Sequence, residues 1–168
     1  MRLTAYLDAA TAPPPFAEAL AASRHAESEA WGDPAATGSR AEAAAEALET
    51  ARAHVAALVG VATSRVRFTS GSTEANNLTL KGLCAAAPSG KRHVLISTLE
   101  PYSVDHPART LSRQGWEVSR VPVDASGRLT PAALTESLRD DSFLVSVTLG
   151  HPGIGTLQDL KPLVRLAH

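Results

Sequence analysis

Residues 91 to 123, KRHVLISTLEPYSVDHPARTLSRQGWEVSRVPV, decide the fold. HVLIS (93–97) and EVSRVPV (117–123) read as strands, and the stretch from about Val104 to Gln114 reads as a helix. A strand, a helix of about ten residues and a second strand form a βαβ unit, whose strands run parallel. The alternation continues in both directions. Upstream, VRF (66–68) reads as a strand and Thr73 to Cys84 as a helix. Before them, SRAEAAAEALETARAHVAALVG sets Ala43, Ala47, Ala51, Val55 and Leu58 at helical spacing, with Gly60 as a stop. Downstream, Thr130 caps PAALTESL with Pro131 at the first helical position. SFLVSVTL (142–149) reads as a strand, and Leu160 to His168 as a last helix. The expectation is an α/β fold: a mainly parallel sheet with helices on both faces, as one domain over residues 1–168 with residues 1–38 as an N-terminal arm.

Composition narrows the function. With 16 Lys and Arg against 17 Asp and Glu, the net charge is −1 and no basic stripe offers a nucleic acid or a membrane surface an electrostatic reason to bind. Cys84 is the only cysteine, which excludes an internal disulfide and a cysteine-based zinc cluster and fits a reducing cytoplasm. In LTLKGLCAAA it reads as a small buried apolar residue rather than a nucleophile. MRLTAYLDAATAPPP lacks the long apolar core of a signal peptide, so the expectation is a soluble, cytoplasmic protein.

FTSGSTEANN (68–77) places Gly, Ser and Thr between an apolar run and a helix. In parallel α/β folds, ligands sit at the carboxyl ends of strands, and phosphates sit on the amides that open the following helix. Gly71 lets the backbone approach closely, and Ser72 and Thr73 offer amides and the Thr73 hydroxyl. The other reading is an ordinary helix cap, with Gly71 or Ser72 at the cap and Glu74 helping the first turn. Neither a Walker pattern nor GxGxxG is present.

FTSGSTEANNLTLKGL resembles the phosphate cup of cysteine desulfurases, relatives of the class V aminotransferases that carry pyridoxal 5′-phosphate. YLDAATAPPP, WGDPAATGSRAEAA, KRHVLISTLEPYSV and the stretch from VPVDASGRLT to GHPGIGTLQDL resemble further segments of that family in the same order. The resemblance implies part of the large domain of a PLP-dependent transferase, the N-terminal portion, truncated or split. It implies removal of sulfur from L-cysteine to give alanine, in the service of sulfur metabolism and iron–sulfur cluster assembly. It also implies a cofactor phosphate held by Gly71, Ser72 and Thr73, with Gln158 in a segment near the cofactor or a dimer contact.

Two departures lie inside the resemblance. Pro101 stands where the family has a cofactor-stacking histidine, and Tyr102 supplies a ring one residue later, either as a stack or as packing. Gly150-His151-Pro152-Gly153 stands where the family has Ala-Asn-Asn-Glu, and Pro152 cannot donate even a backbone N–H. His151 has the chemistry of an acid or base, or is a loop residue. The family's Schiff-base lysine matches none of Lys81, Lys91 and Lys161, so no catalytic residue is identified, and no metal site. Three functions compete: the incomplete half of a desulfurase, completed by a homodimer partner or a complementary C-terminal-half chain; a non-catalytic interaction or regulatory module that pairs with an active relative; and a generic phosphate-binding domain.

Overall fold

The computed structural model describes residues 13–168. The YLDAATA part of the resemblance (6–12) therefore falls outside the described residues. Contacts divide the chain into two compact units, Met1–Phe68 and Thr69–His168.

In the first unit, α1 (Ala17–Glu29) precedes α2 (Ser39–Val59). The bounds of α2 match the sequence reading, and Gly60 closes it in the left-handed region, at φ 70°, where glycine pays no Cβ penalty. Ala41, Ala44 and Ala56 form its buried side. No residue of α1 is buried, so its sequence carries no apolar stripe by which to be read, and the expected arm contains a helix that sequence did not announce. Between the helices Gly32 is obligatory: a Cβ there would lie 2.3 Å from the Arg40 carbonyl oxygen.

The expected strand at 66–68 does not form. The unit holds no described strand to pair with it. The Val66 carbonyl accepts instead from Nη1 of Arg52 at 2.7 Å and of Arg67 at 3.0 Å, and the Arg52 guanidinium lies 5.3 Å from the centre of the Phe68 ring.

The second unit holds the sheet. β1 (His93–Ser97) lies between β2 (Glu117–Val121) and β3 (Ser142–Ser146), and both pairings are parallel. β1 is buried along its whole length, and its side chains alternate between two cores. Val94 and Ile96 pack with Leu80 and Cys84 of α3 (Ser72–Ala85) and with Val104, Ala108 and Leu111 of α4 (Tyr102–Arg113). Leu95 packs with Val121, Leu129, Leu134 of α5 (Pro131–Ser137) and Leu163 of α6 (Leu160–Ala167). Helices therefore cover both faces, as expected. Thr130 caps α5, its side chain accepting from the Ala133 amide. Cys84 is buried in the first core, and burial pushes its thiol pKa up, so it is an apolar packing group.

At the amino end of the sheet, His93 is enclosed between two serines. Nδ1 pairs with Ser142 Oγ at 2.9 Å and Nε2 with Ser119 Oγ at 2.8 Å, so one imidazole ties all three strands. The β1–β3 register breaks beside it: His93 pairs with Ser142 but Val94 with Leu144, leaving Phe143 to reach the Trp116 ring at 5.9 Å.

Candidate functional site

α3 and α4 run side by side in the same direction. Asn76, in the second turn of α3, donates from Nδ2 to Ser103 Oγ at the start of α4, at 2.9 Å. Cys84 and Ala85, at the other end of α3, share a hollow with Arg92 before β1 and Trp116 before β2. Since α4 leaves the carboxyl end of β1, the first turn of α3 also opens at the carboxyl edge of the sheet. This is where ligands of parallel sheets bind. FTSGSTEANN thus reaches its expected position through the pairing of α3 with α4, although no strand precedes it.

The first turn of α3 is built around Gly71. Its backbone, at φ 158° and ψ −175°, lies where glycine alone rests comfortably, while a Cβ added there would meet nothing within 4 Å. Glycine is needed for conformation, not space. Gly71 caps the helix without a side-chain bond. Glu74 folds back on Ser70, accepting from its hydroxyl at 2.6 Å and its amide at 2.7 Å, and these two bonds lower the Glu74 pKa. The first amide to return into the helix is that of Ala75, which donates to the Gly71 carbonyl. The amides of Ser72, Thr73 and Glu74 have no acceptor among the described residues. Three converging N–H groups, two hydroxyls and the positive end of a helix make a set of donors suited to a dianionic phosphate. The cap reading describes Gly71 and Glu74 here, and the open amides are what the phosphate reading requires of this turn.

Beside α4 the same edge forms a cleft of about 470 Å³, lined by Glu100, Pro101, Tyr102, Thr148, His151 and Pro152 among others. It brings together Tyr102 and His151, two of the side chains singled out in the sequence. Tyr102 is 78% exposed, and its ring lies 5.5 Å from that of His106 one turn along. His151 belongs to a hairpin: its N–H donates to the Thr156 carbonyl, its carbonyl accepts from Gly155, and the Gln158 amide donates to Leu149.

Gln158 stands apart from the cleft. Its side chain is buried, with Oε1 accepting from the Leu129 amide at 2.9 Å and Nε2 donating to the Gly127 carbonyl at 2.8 Å. Both ends of the amide are spent on bracing the 127–129 turn against the hairpin.

Sequence reasoning passed over Glu100. Its carboxylate accepts from the Thr148 amide at 2.6 Å, the Thr148 hydroxyl at 3.1 Å and the Ser146 hydroxyl at 3.4 Å, locking the turn after β1 to the end of β3. A signal was present: an acid directly after an apolar strand, matched by hydroxyls in SVT (146–148).

With this geometry in view, the likeness to known proteins becomes specific. Residues 5–168 match the model of the aminotransferase class-V family. The chain belongs to that family. It is 31% identical over 167 residues to cysteine desulfurase IscS of Dictyoglomus turgidum, covering 99% of this chain and 42% of that protein. It is 35% identical over 158 residues to cysteine desulfurase IscS 1 of Archaeoglobus fulgidus, covering 94% of this chain and 41% of that one. The solved structure of SspA in complex with cysteine superposes with a TM-score of 0.89 at 29% identity, over 98% of this chain and 47% of SspA. The chain spans about two-fifths of the length of these curated relatives.

Members of this family depend on pyridoxal 5′-phosphate in general, and the donor set at α3 fits the phosphate end of that cofactor. None of the lysines lines the cleft: Lys81 lies in the third turn of α3, Lys91 donates to the Asp140 carbonyl at the amino end of the sheet, and Lys161 is the second residue of α6. No described helix is long and apolar enough to cross a membrane.

Proposed function

We propose that this chain is the phosphate-holding part of a pyridoxal phosphate-dependent cysteine desulfurase, acting in the cytoplasm on L-cysteine to give alanine and transferable sulfur. The observation that carries the proposal is the opening of α3 at the carboxyl edge of the sheet, with the amides of Ser72, Thr73 and Glu74 free of acceptors among the described residues. The named activity of the IscS relatives supports the reaction class.

In this reading Ser72 and Thr73 bind the phosphate, with Gly71 letting it approach the backbone. Pro101 and Tyr102 line one side of the cleft and His151 and Pro152 the other, and Glu100 keeps the two sides in register. Pyridoxal phosphate, when bound, supplies an aldehyde and an electron-withdrawing ring. The chain's own residues bind and orient; the amine for a Schiff base has to come from a lysine other than Lys81, Lys91 and Lys161. A homodimer partner or a chain carrying the remaining length of a relative would bring it. The exposed β3 supports such a partner. Phe143, Leu144 and Val145 give it the composition of an interior strand, yet it lies at the sheet edge with every residue partly exposed.

A second reading is favoured by one observation. Pro101 and Pro152 both line the cleft and neither has an N–H to give, which suits a non-catalytic module that pairs with an active relative.

The test is release of sulfide and alanine from L-cysteine in the presence of pyridoxal phosphate. The chain alone should be inactive, and mixing with the complementary C-terminal part of a desulfurase should restore turnover. Activity of the chain alone that is lost on changing Lys81, Lys91 or Lys161 to Ala would overturn the proposal.

A further inference from the structure

The sheet has two edges, and they are built differently. The β2 edge carries charge: Glu117 and Arg120 are both exposed, the first paired with Arg139 and the second with Asp105. Charges on an edge strand oppose pairing with another chain. The β3 edge carries none. SFLVSVTL (142–149) holds neither a charged residue nor a proline, and among the described residues no strand pairs with its outer side. Hollows flank it on both faces. One of about 320 Å³ lies between β3 and α6, bounded by Phe143, Leu160 and Val164 among others, and one of about 240 Å³ lies between β3 and α3, bounded by Asn76, Thr79 and Leu80. Leu144 and Val145 line both. An incoming strand sends its side chains alternately to the two faces, and each set finds a hollow to enter.

We propose that β3 is the docking edge for a second copy of this chain, the two β3 strands pairing antiparallel about a two-fold axis and joining two three-stranded sheets into one. The strand's own composition selects that occupant. SFLVS has a serine at each end and Phe143, Leu144 and Val145 between, so it reads alike in both directions, and an antiparallel copy sets apolar residues against apolar residues. It offers no charge by which a different protein would be chosen or its own copy repelled. A two-fold contact also closes at two copies, because it consumes the uncharged edge of each and leaves the charged β2 edges outermost. The proposal uses none of Gly71, Ser72 and Thr73 and goes beyond the cofactor reading.

The experiment is sedimentation equilibrium of the full chain over a dilution series, with hydrogen–deuterium exchange on the same samples. The expected result is a reversible dimer in which the amides of 142–146 exchange more slowly as concentration rises, while those of 117–121 do not change. Val145→Lys puts a charge in the middle of the edge and should be monomeric at concentrations where wild type and Glu117→Ala, a control on the opposite edge, are dimers. A monomer at every concentration, an open-ended series of larger species, or a dimer whose protection falls on α2 and not on β3 overturns the inference. So does a folded Val145→Lys that dimerises as wild type does; should that variant unfold, the exchange pattern of wild type decides alone. The cofactor reading is scored separately, by titration of pyridoxal phosphate, and neither result stands in for the other.

Discussion

The Glu100 carboxylate accepts the Thr148 amide at 2.6 Å, and this bond joins the turn that opens α4 to the loop that leaves β3. The two segments lie 48 positions apart in sequence and line one cleft together. Glu100→Ala should leave the Thr148 N–H without its partner and cost about 1.5–3 kcal/mol, the range for a hydrogen bond to a charged group. Urea unfolding checks this: an unchanged midpoint would mean that the carboxylate does not hold the walls together.

Gly71→Ala separates conformation from contact. Nothing stands where the new Cβ would go, so the cost is that of the backbone alone, about 1–3 kcal/mol. Thermal unfolding should show the loss, and a variant as stable as wild type would remove the claim that this turn requires glycine.

Much of this architecture was legible in the sequence, for identifiable reasons. β1 stands as read, and α2 within its expected bounds, because each is decided by local pattern: an apolar run buried on both faces, and apolar residues at helical spacing ended by a left-handed glycine. The strand at 66–68 was misread because a strand needs a neighbour, and local pattern cannot show whether Val66 will bond to a ladder or to Arg52. α1 escaped because it buries nothing. Gly71 was legible as the cap of α3, and Tyr102 and His151 as departures from a family pattern. Their meeting in one cleft was not, since it depends on Glu100 reaching Thr148.

Gln158 should matter to stability and leave ligand binding unmoved. Gln158→Ala strands the Leu129 N–H and the Gly127 carbonyl, two buried groups, at a cost of about 2–4 kcal/mol. Denaturant unfolding combined with phosphate titration checks both halves. A loss of phosphate affinity at full stability would return Gln158 to the ligand site.

Two of the shifted groups, His93 and Asp105, are buried and contribute to the pH response. Burial first, and then the Arg139 cation, hold His93 below its usual value of 6.5, so the native fold takes up a proton less readily than the unfolded chain. Stability from this source is full above pH 6.5 and falls as pH drops below it. Burial alone would raise Asp105, but hydrogen bonds and charge from Arg109 and Arg120, at 2.6 and 2.5 Å, outweigh it and hold the carboxyl below 3.8. Its contribution persists above that value and is lost as pH falls through the native one. The urea midpoint should therefore be level near neutrality, decline from pH 6.5 to 5, and fall again below 4. A midpoint that rises between 6.5 and 5 would contradict the His93 assignment.

The central claim is that the first turn of α3 holds the phosphate of a pyridoxal cofactor. Its most direct test is calorimetric titration of pyridoxal 5′-phosphate into the wild-type chain and Thr73→Val, which removes one exposed hydroxyl donor. The account predicts binding to wild type, affinity weaker by about tenfold or more in Thr73→Val, and stability unchanged within about 0.5 kcal/mol. Equal affinity in the two proteins, or no binding to wild type, would contradict it.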